Sequence, residues 1–150
     1  MTLSVSVLEM NIGTGTPFSW DAVGTSNNYH CFLNFPSVPE GKLLVIHHVG
    51  ALVRPKVNTT GVEVAELVTS TPTNTSVGVR FHFGMSRTGL AGTSIPYDSW
   101  TMSQPVLAYV VAGQLARMTI NMRNPGEILF CQASLSGVMV DAEEQTAAAG

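Results

Sequence analysis

Charge is what this chain has least of. Seven residues are Lys or Arg and ten are Asp or Glu, 11% of the 150, against about 25% in an ordinary soluble domain. Charged side chains normally cover the wetted surface. A chain this poor in them spans a membrane, stays unfolded, or hides surface against other subunits. The longest apolar run, Leu43 to Val53, is broken by His47 and His48 and falls short of the roughly 20 residues a span needs. Disorder is excluded by a 45% hydrophobic content with a net charge of only −3. Hidden surface remains.

Other absences narrow the function. No Lys or Arg precedes Lys42, so there is no basic arm, and the chain is expected to contact no nucleic acid. The first residues, MTLSVSVLEMNIG, lack the basic start of a signal peptide. The chain as it stands is expected in the cytoplasm, or outside the cell if a leader was removed. With two cysteines and four histidines there is no CxxC, HxH or HExxH spacing. His47 and His48 are neighbours in a strand and point to opposite faces unless a bulge intervenes. No metal and no cofactor is expected. Cys31 and Cys131 either pair or lie buried as small hydrophobes, and their place on the apolar side of alternating stretches favours buried thiols. No GxSxG elbow is present. Glu63 and Glu66 fall on opposite strand faces. The chain is therefore not expected to be an enzyme.

Helical periodicity is missing too, and in its place period two runs from end to end. Leu3, Val5 and Val7 alternate with serines. Tyr29, Cys31, Leu33 and Phe35 share a side opposite His30 and Asn34. Lys42 to Val53, Val62 to Val68, Val77 to Phe83, Val106 to Ala112, Leu115 to Met122 and Ile128 to Val140 continue the pattern. Turns are marked at Val38-Pro39-Glu40-Gly41, Ala112-Gly113-Gln114 and Asn124-Pro125-Gly126. Thr69 to Ser76 reads as an exposed polar loop, and Gly84 to Trp100 as a longer glycine-rich one. Ile128 to Val140 is expected to bend at Gly137. This predicts an all-β protein: an antiparallel β-sandwich of eight or more strands, jelly-roll or another Greek-key arrangement. One domain covers residues 1–140, and 141–150 form an acidic, small-residue tail.

Several strands are apolar on both sides. In Leu43–Val53, one side holds Leu43, Val45, Val49 and Val53, and the other Leu44, Ile46 and Leu52. In Val106–Val111, Leu107, Tyr109 and Val111 oppose Val106, Ala108 and Val110. A sandwich has one interior, so the second apolar side needs another cover. Leu44, Ile46, Leu52, Leu107, Tyr109 and Val111 are the expected oligomer interface, and the partner is a second copy of the chain. A separate binding reading rests on loop aromatics and acids. Trp20-Asp21, Asn27-Asn28-Tyr29 and Tyr97-Asp98-Ser99-Trp100 hold the ingredients of a glycan site, an aromatic face for the sugar ring with Asp or Asn for its hydroxyls. Closure of the sandwich ends would use the same tryptophans. Asn58-Thr59-Thr60 and Asn74-Thr75-Ser76 match the glycosylation sequon.

The stretch Phe35-Pro36-Ser37-Val38-Pro39-Glu40-Gly41-Lys42-Leu43-Leu44-Val45-Ile46-His47-His48-Val49, with Val111-Ala112-Gly113-Gln114 and Leu135-Ser136-Gly137-Val138-Met139-Val140-Asp141, resembles small bacterial proteins of unknown function. These carry a "VPAGKxLVIEHVS" segment, a Gly-Gln strand pair and a terminal "LSGYLVD", and often begin with an export signal. The closing strand is also similar to that of C1q- and tumour-necrosis-factor-like jelly rolls, which implies trimers formed through an apolar face. These readings converge on a non-catalytic jelly-roll homo-oligomer, expected as a trimer, serving structure or surface interaction. A carbohydrate-binding module and a viral or phage shell, fibre or decoration protein are the alternatives. Membrane insertion is not expected.

Overall fold

The period-two stretches become strands, and their apolar sides meet. A computed structural model describes residues 15–26, 30–56, 61–70, 79–91, 97–123 and 126–142, the side chains of Glu63, Ser70, Leu90 and Ala91 excepted. The strands run β1 (Thr16–Ser26), β2 (His30–Asn34), β3 (Lys42–Pro55), β4 (Val62–Ser70), β5 (Arg80–Phe83), β6 (Ser86–Ala91), β7 (Tyr97–Val111), β8 (Leu115–Met122) and β9 (Ile128–Asp141). They form two antiparallel sheets. One has the order β1-β9-β3-β7-β6 and the other β2-β8-β4-β5. The chain is an all-β, antiparallel β-sandwich.

The pairing is nested. β1 pairs with β9, β2 with β8, β3 with β7 and β4 with β5, as in one long hairpin rolled into two layers. The alternation along each strand then supplies the core: Cys31 and Leu33 from β2, Leu44, Ile46, Val49 and Val53 from β3, Ala65 and Leu67 from β4, Met118 and Ile120 from β8, and Cys131 and Leu135 from β9. Emptying one Leu or Ile position in such a core costs about 2–5 kcal/mol.

Two tight turns tie the layers at one end. Gly41 and Gly113 both have positive φ, 73° and 80°, at the third position of turns closed by Lys42 N–H to Pro39 C=O (3.2 Å) and Gln114 N–H to Val111 C=O (3.0 Å). Glycine suits that position because a β carbon is strained there. The turns also bond to each other: Gly113 N–H donates to Val38 C=O at 3.1 Å, and Val38 N–H to Gln114 C=O at 2.9 Å.

The structure corrects four expectations. The cysteines are not free thiols: Cys31 on β2 and Cys131 on β9 form a disulfide across the two sheets. Alternation placed both on the inner side but could not show that those sides face each other. Gly84–Trp100 is not a loop, since β6 and the start of β7 form a hairpin inside it. Its glycines hide the strand signal, and Gly89, with φ 130°, sits at a register shift between Arg87 and Gly89. Thr69 belongs to β4 and is buried, rather than opening an exposed loop. Leu44 and Ile46 are core residues with 0% exposure, not interface.

The last correction has a single cause. Against β9, Ile46 pairs with Gly137 and His48 with Ser136, which leaves His47 as an extra residue. This bulge reverses the strand's parity. Leu44 and Ile46 point inward before it, Val49, Ala51 and Val53 after it. Part of the apparent two-sidedness of Leu43–Val53 is therefore one inner face read through a shift. Leu43 and Val45 are left on the outer side, where they cluster with Val140, Tyr109 and Val138. Residues 1–14, 27–29, 57–60, 71–78, 92–96, 124–125 and 143–150 lie outside the described residues, and with them the Leu3–Val7 alternation, Asn27-Asn28-Tyr29, both sequons and most of the tail. No helix among the described residues is long and apolar enough to cross a membrane.

Candidate functional site

The aromatic and acidic candidates do not share a site. Trp20 and Asp21 lie on β1, whereas Tyr97, Asp98 and Trp100 lie on β7, with β9 and β3 between the two strands. Three strand spacings separate the two strands by about 14 Å, and the register adds an offset along them, since Trp20 aligns through Leu135 and Val49 with Gln104 rather than Trp100. Trp20 packs on the core beside Phe18, ring centroids 5.0 Å apart, and Asp21 pairs in register with Ser134. Trp100 also packs on the core, and a β carbon on Gly61 would stand 2.9 Å from its ring. Asp98 accepts from Arg87 Nε at 3.0 Å and Nη2 at 2.6 Å. The Arg54 guanidinium lies 5.4 Å from the Tyr97 ring centre. Both tryptophans are half-buried, with part of each ring on the core.

The outer side of the five-stranded sheet has two parts. One is apolar. Leu43, Val45 and Val140 are buried beneath Tyr109 and Val138, and Leu107 and Val111 stand 52% and 50% exposed beside them. The Tyr109 hydroxyl is buried without a hydrogen-bond partner, and burial pushes it above the ordinary phenol range. The other part is polar. His48 Nε2 and Ser103 Oγ are 2.9 Å apart. A dent of about 210 Å³ is lined by Asp21, Gly50, Leu52, Gln132 and Ser134. The bulge at His47 would allow neighbouring imidazoles to share a face, yet no group of three potential metal ligands gathers among the described residues.

The outer side of the four-stranded sheet is charged and concave. Register alone assembles it. Thr119 on β8 pairs with Phe32 on one side and Glu66 on the other, and Glu66 pairs with His82. His30 and Val64 flank Asn121, and Asn34 and Val68 flank Arg117, with Arg80 beyond Val68. The resulting cleft of about 740 Å³ is lined by these residues, Asn34 and Val68 excepted, together with Met122 and Arg123. Glu66 holds Arg80 Nη1 at 3.2 Å and His82 Nδ1 at 3.2 Å. His30 Nδ1 and Asn121 Oδ1 are 2.6 Å apart. Arg117 lies over the Phe32 ring at 5.0 Å. Two polar groups here are buried without partners, Arg117 Nε and Thr119 Oγ1.

Three of the chain's seven basic residues thus meet on one face. They are far apart in sequence. The alternation of Leu115–Met122 puts Arg117, Thr119 and Asn121 on one side, but only the strand order brings Arg80 to them. No protein-family model, curated protein sequence or solved structure matches the chain.

Proposed function

We propose that the chain is a non-catalytic jelly-roll subunit that assembles with copies of itself and serves a structural or surface-interaction role. The carrying observation is the apolar half of the outer face of the five-stranded sheet. Its outward residues on β3, β7 and β9, Leu43, Val45, Leu107, Tyr109, Val111, Val138 and Val140, include no charge. Association through this face explains how a chain with 11% charged residues stays in solution. A specific interface covers about 800 Å² per partner. Three copies is the arrangement implied by the likeness to C1q- and tumour-necrosis-factor-like jelly rolls. The Cys31–Cys131 disulfide favours an oxidising location, outside the cytoplasm.

Light scattering coupled to gel filtration tests the reading. The expected mass is a small multiple of 15.9 kDa, and a 15.9 kDa species at micromolar concentration overturns it. A second reading, a viral or phage shell, fibre or decoration subunit, draws support from the nested pairing of β1 with β9, β2 with β8, β3 with β7 and β4 with β5, which is compatible with a jelly roll. Electron microscopy of the purified protein separates the two: closed shells or fibres favour the second, discrete small oligomers the first.

A further inference from the structure

The charged cleft on the four-stranded sheet lies on the opposite side of the sandwich from the proposed self-association face, so it stays open in such an assembly. Its chemistry is specific. Arg80, Arg117 and Arg123 line it, and Glu66 is the one carboxylate that lines it among the described residues. Glu66 is shared between Arg80 and His82, so the face remains net positive in a chain of net charge −3. Thr119 is 5% exposed and its hydroxyl has no partner, and it sits on the cleft floor between Phe32 and Glu66. A buried hydroxyl left unsatisfied costs stability, about 1–3 kcal/mol. Its retention on the floor of an open cleft marks a place where something else supplies the partner.

The dimensions choose the ligand. Arg117 on β8 and Arg123, one residue past its end, bracket Thr119 and Asn121. Six residues of extended strand span about 20 Å. One inorganic anion cannot reach both ends. Between them stand hydrogen-bonding groups suited to hydroxyls, Asn121, Thr119 and Glu66, and one half-exposed aromatic, Phe32. A single-stranded nucleic acid would want several free stacking rings along its path, whereas here Phe32 is already under Arg117, His30 is tied to Asn121 and His82 to Glu66. The central Glu66 carboxylate accepts sugar hydroxyls.

We infer that this cleft binds an acidic oligosaccharide lying along β8, its anionic groups held by Arg117 and Arg123 and its hydroxyls by Thr119, Asn121 and Glu66. Arginine guanidinium is well matched to carboxylate or sulfate groups.

Calorimetric titration of the intact protein tests this with four probes: tetragalacturonate, a sulfated oligosaccharide of similar length, neutral cellotetraose and a four-residue thymidine oligonucleotide. Binding of the uronate or the sulfated chain is expected, with none by cellotetraose. Which of the two binds tells carboxylate from sulfate. Arg123→Ala, at an exposed position, is expected to weaken binding about tenfold, the usual effect of one charge-assisted contact. Thr119→Val is expected to weaken binding while leaving the melting temperature equal or higher, a pattern a purely structural threonine would not give. Failure of both acidic chains to bind at millimolar concentration overturns the inference. So does equal binding of cellotetraose, tighter binding of the oligonucleotide, or unchanged affinity in both variants.

Discussion

Gly137 of β9 lies against Val45 of β3 so closely that a β carbon on it would collide with the Val45 carbonyl, and would stand 3.1 Å from His47 N. The strand that crosses the bulge is thus in contact with backbone on its neighbour, and only hydrogen fits. Gly137→Ala is expected to destabilise the fold by about 3 kcal/mol or more, since backbone rather than a side chain must move. Urea unfolding checks it; a loss below about 1 kcal/mol would show that the bulge relaxes freely.

The inward and outward residues of β3 and β7 should separate cleanly in experiment. Leu44→Ala and Ile46→Ala each remove a fully buried side chain and are expected to cost about 2–5 kcal/mol. Leu107→Lys and Val111→Lys, at half-exposed outward positions, are expected to change fold stability by under about 1 kcal/mol yet shift the light-scattering mass to that of a single chain. Retention of the oligomer in the double lysine variant would place the interface elsewhere.

The disulfide closes a loop with a sequence separation of 100. Constraining that loop in the unfolded chain is worth about 4.7 kcal/mol in the chain-entropy model, with measured values more often 2–4. Cys31→Ala/Cys131→Ala is expected to lower stability by that range. Wild-type protein unfolded with and without reductant should show the same difference.

Tyr109 links packing to pH. Burial favours its neutral phenol in the folded state, while the unfolded chain gives up that proton near about pH 10. Stability from this group is therefore intact below that value and falls as pH rises toward the raised folded value. Tyr109→Phe removes a hydroxyl that has no partner, so it is expected to match or exceed the wild type at pH 7 by up to about 1 kcal/mol. The variant should also lose less stability between pH 9 and 11. A variant less stable at pH 7 would mean that the hydroxyl finds a partner in the assembled protein.

Alternation made the class of fold legible, because a strand's side chains report its two faces directly. Leu115–Met122 is bounded as β8 is, and the turns at Gly41 and Gly113 fall where their glycines stand. What alternation cannot carry is a change of phase. His47 shifts one, so Leu44 and Ile46 read as outward when they are inward. Gly89 shifts another, and β6 reads as a loop. Long-range register is equally silent in the sequence. Nothing local brings Cys31 to Cys131, or Arg80 to the row of Arg117 and Thr119. Those neighbours exist only because β2, β8, β4 and β5 lie in that order.

The nested pairing carries a kinetic cost. Apart from β4 with β5, each partner strand of the nest is separated from its mate by much of the chain, and β1 must wait for β9. Sequence-distant contacts require loop closure before they reward the chain, so such topologies fold in milliseconds to seconds rather than microseconds. Among the described strands β4–β5 and β6–β7 are the local pairs, and assembly should run outward from them. During that interval the edges and apolar faces of unfinished sheets are open to other copies of the same chain. Concentration during refolding should therefore decide how much protein reaches the native sandwich.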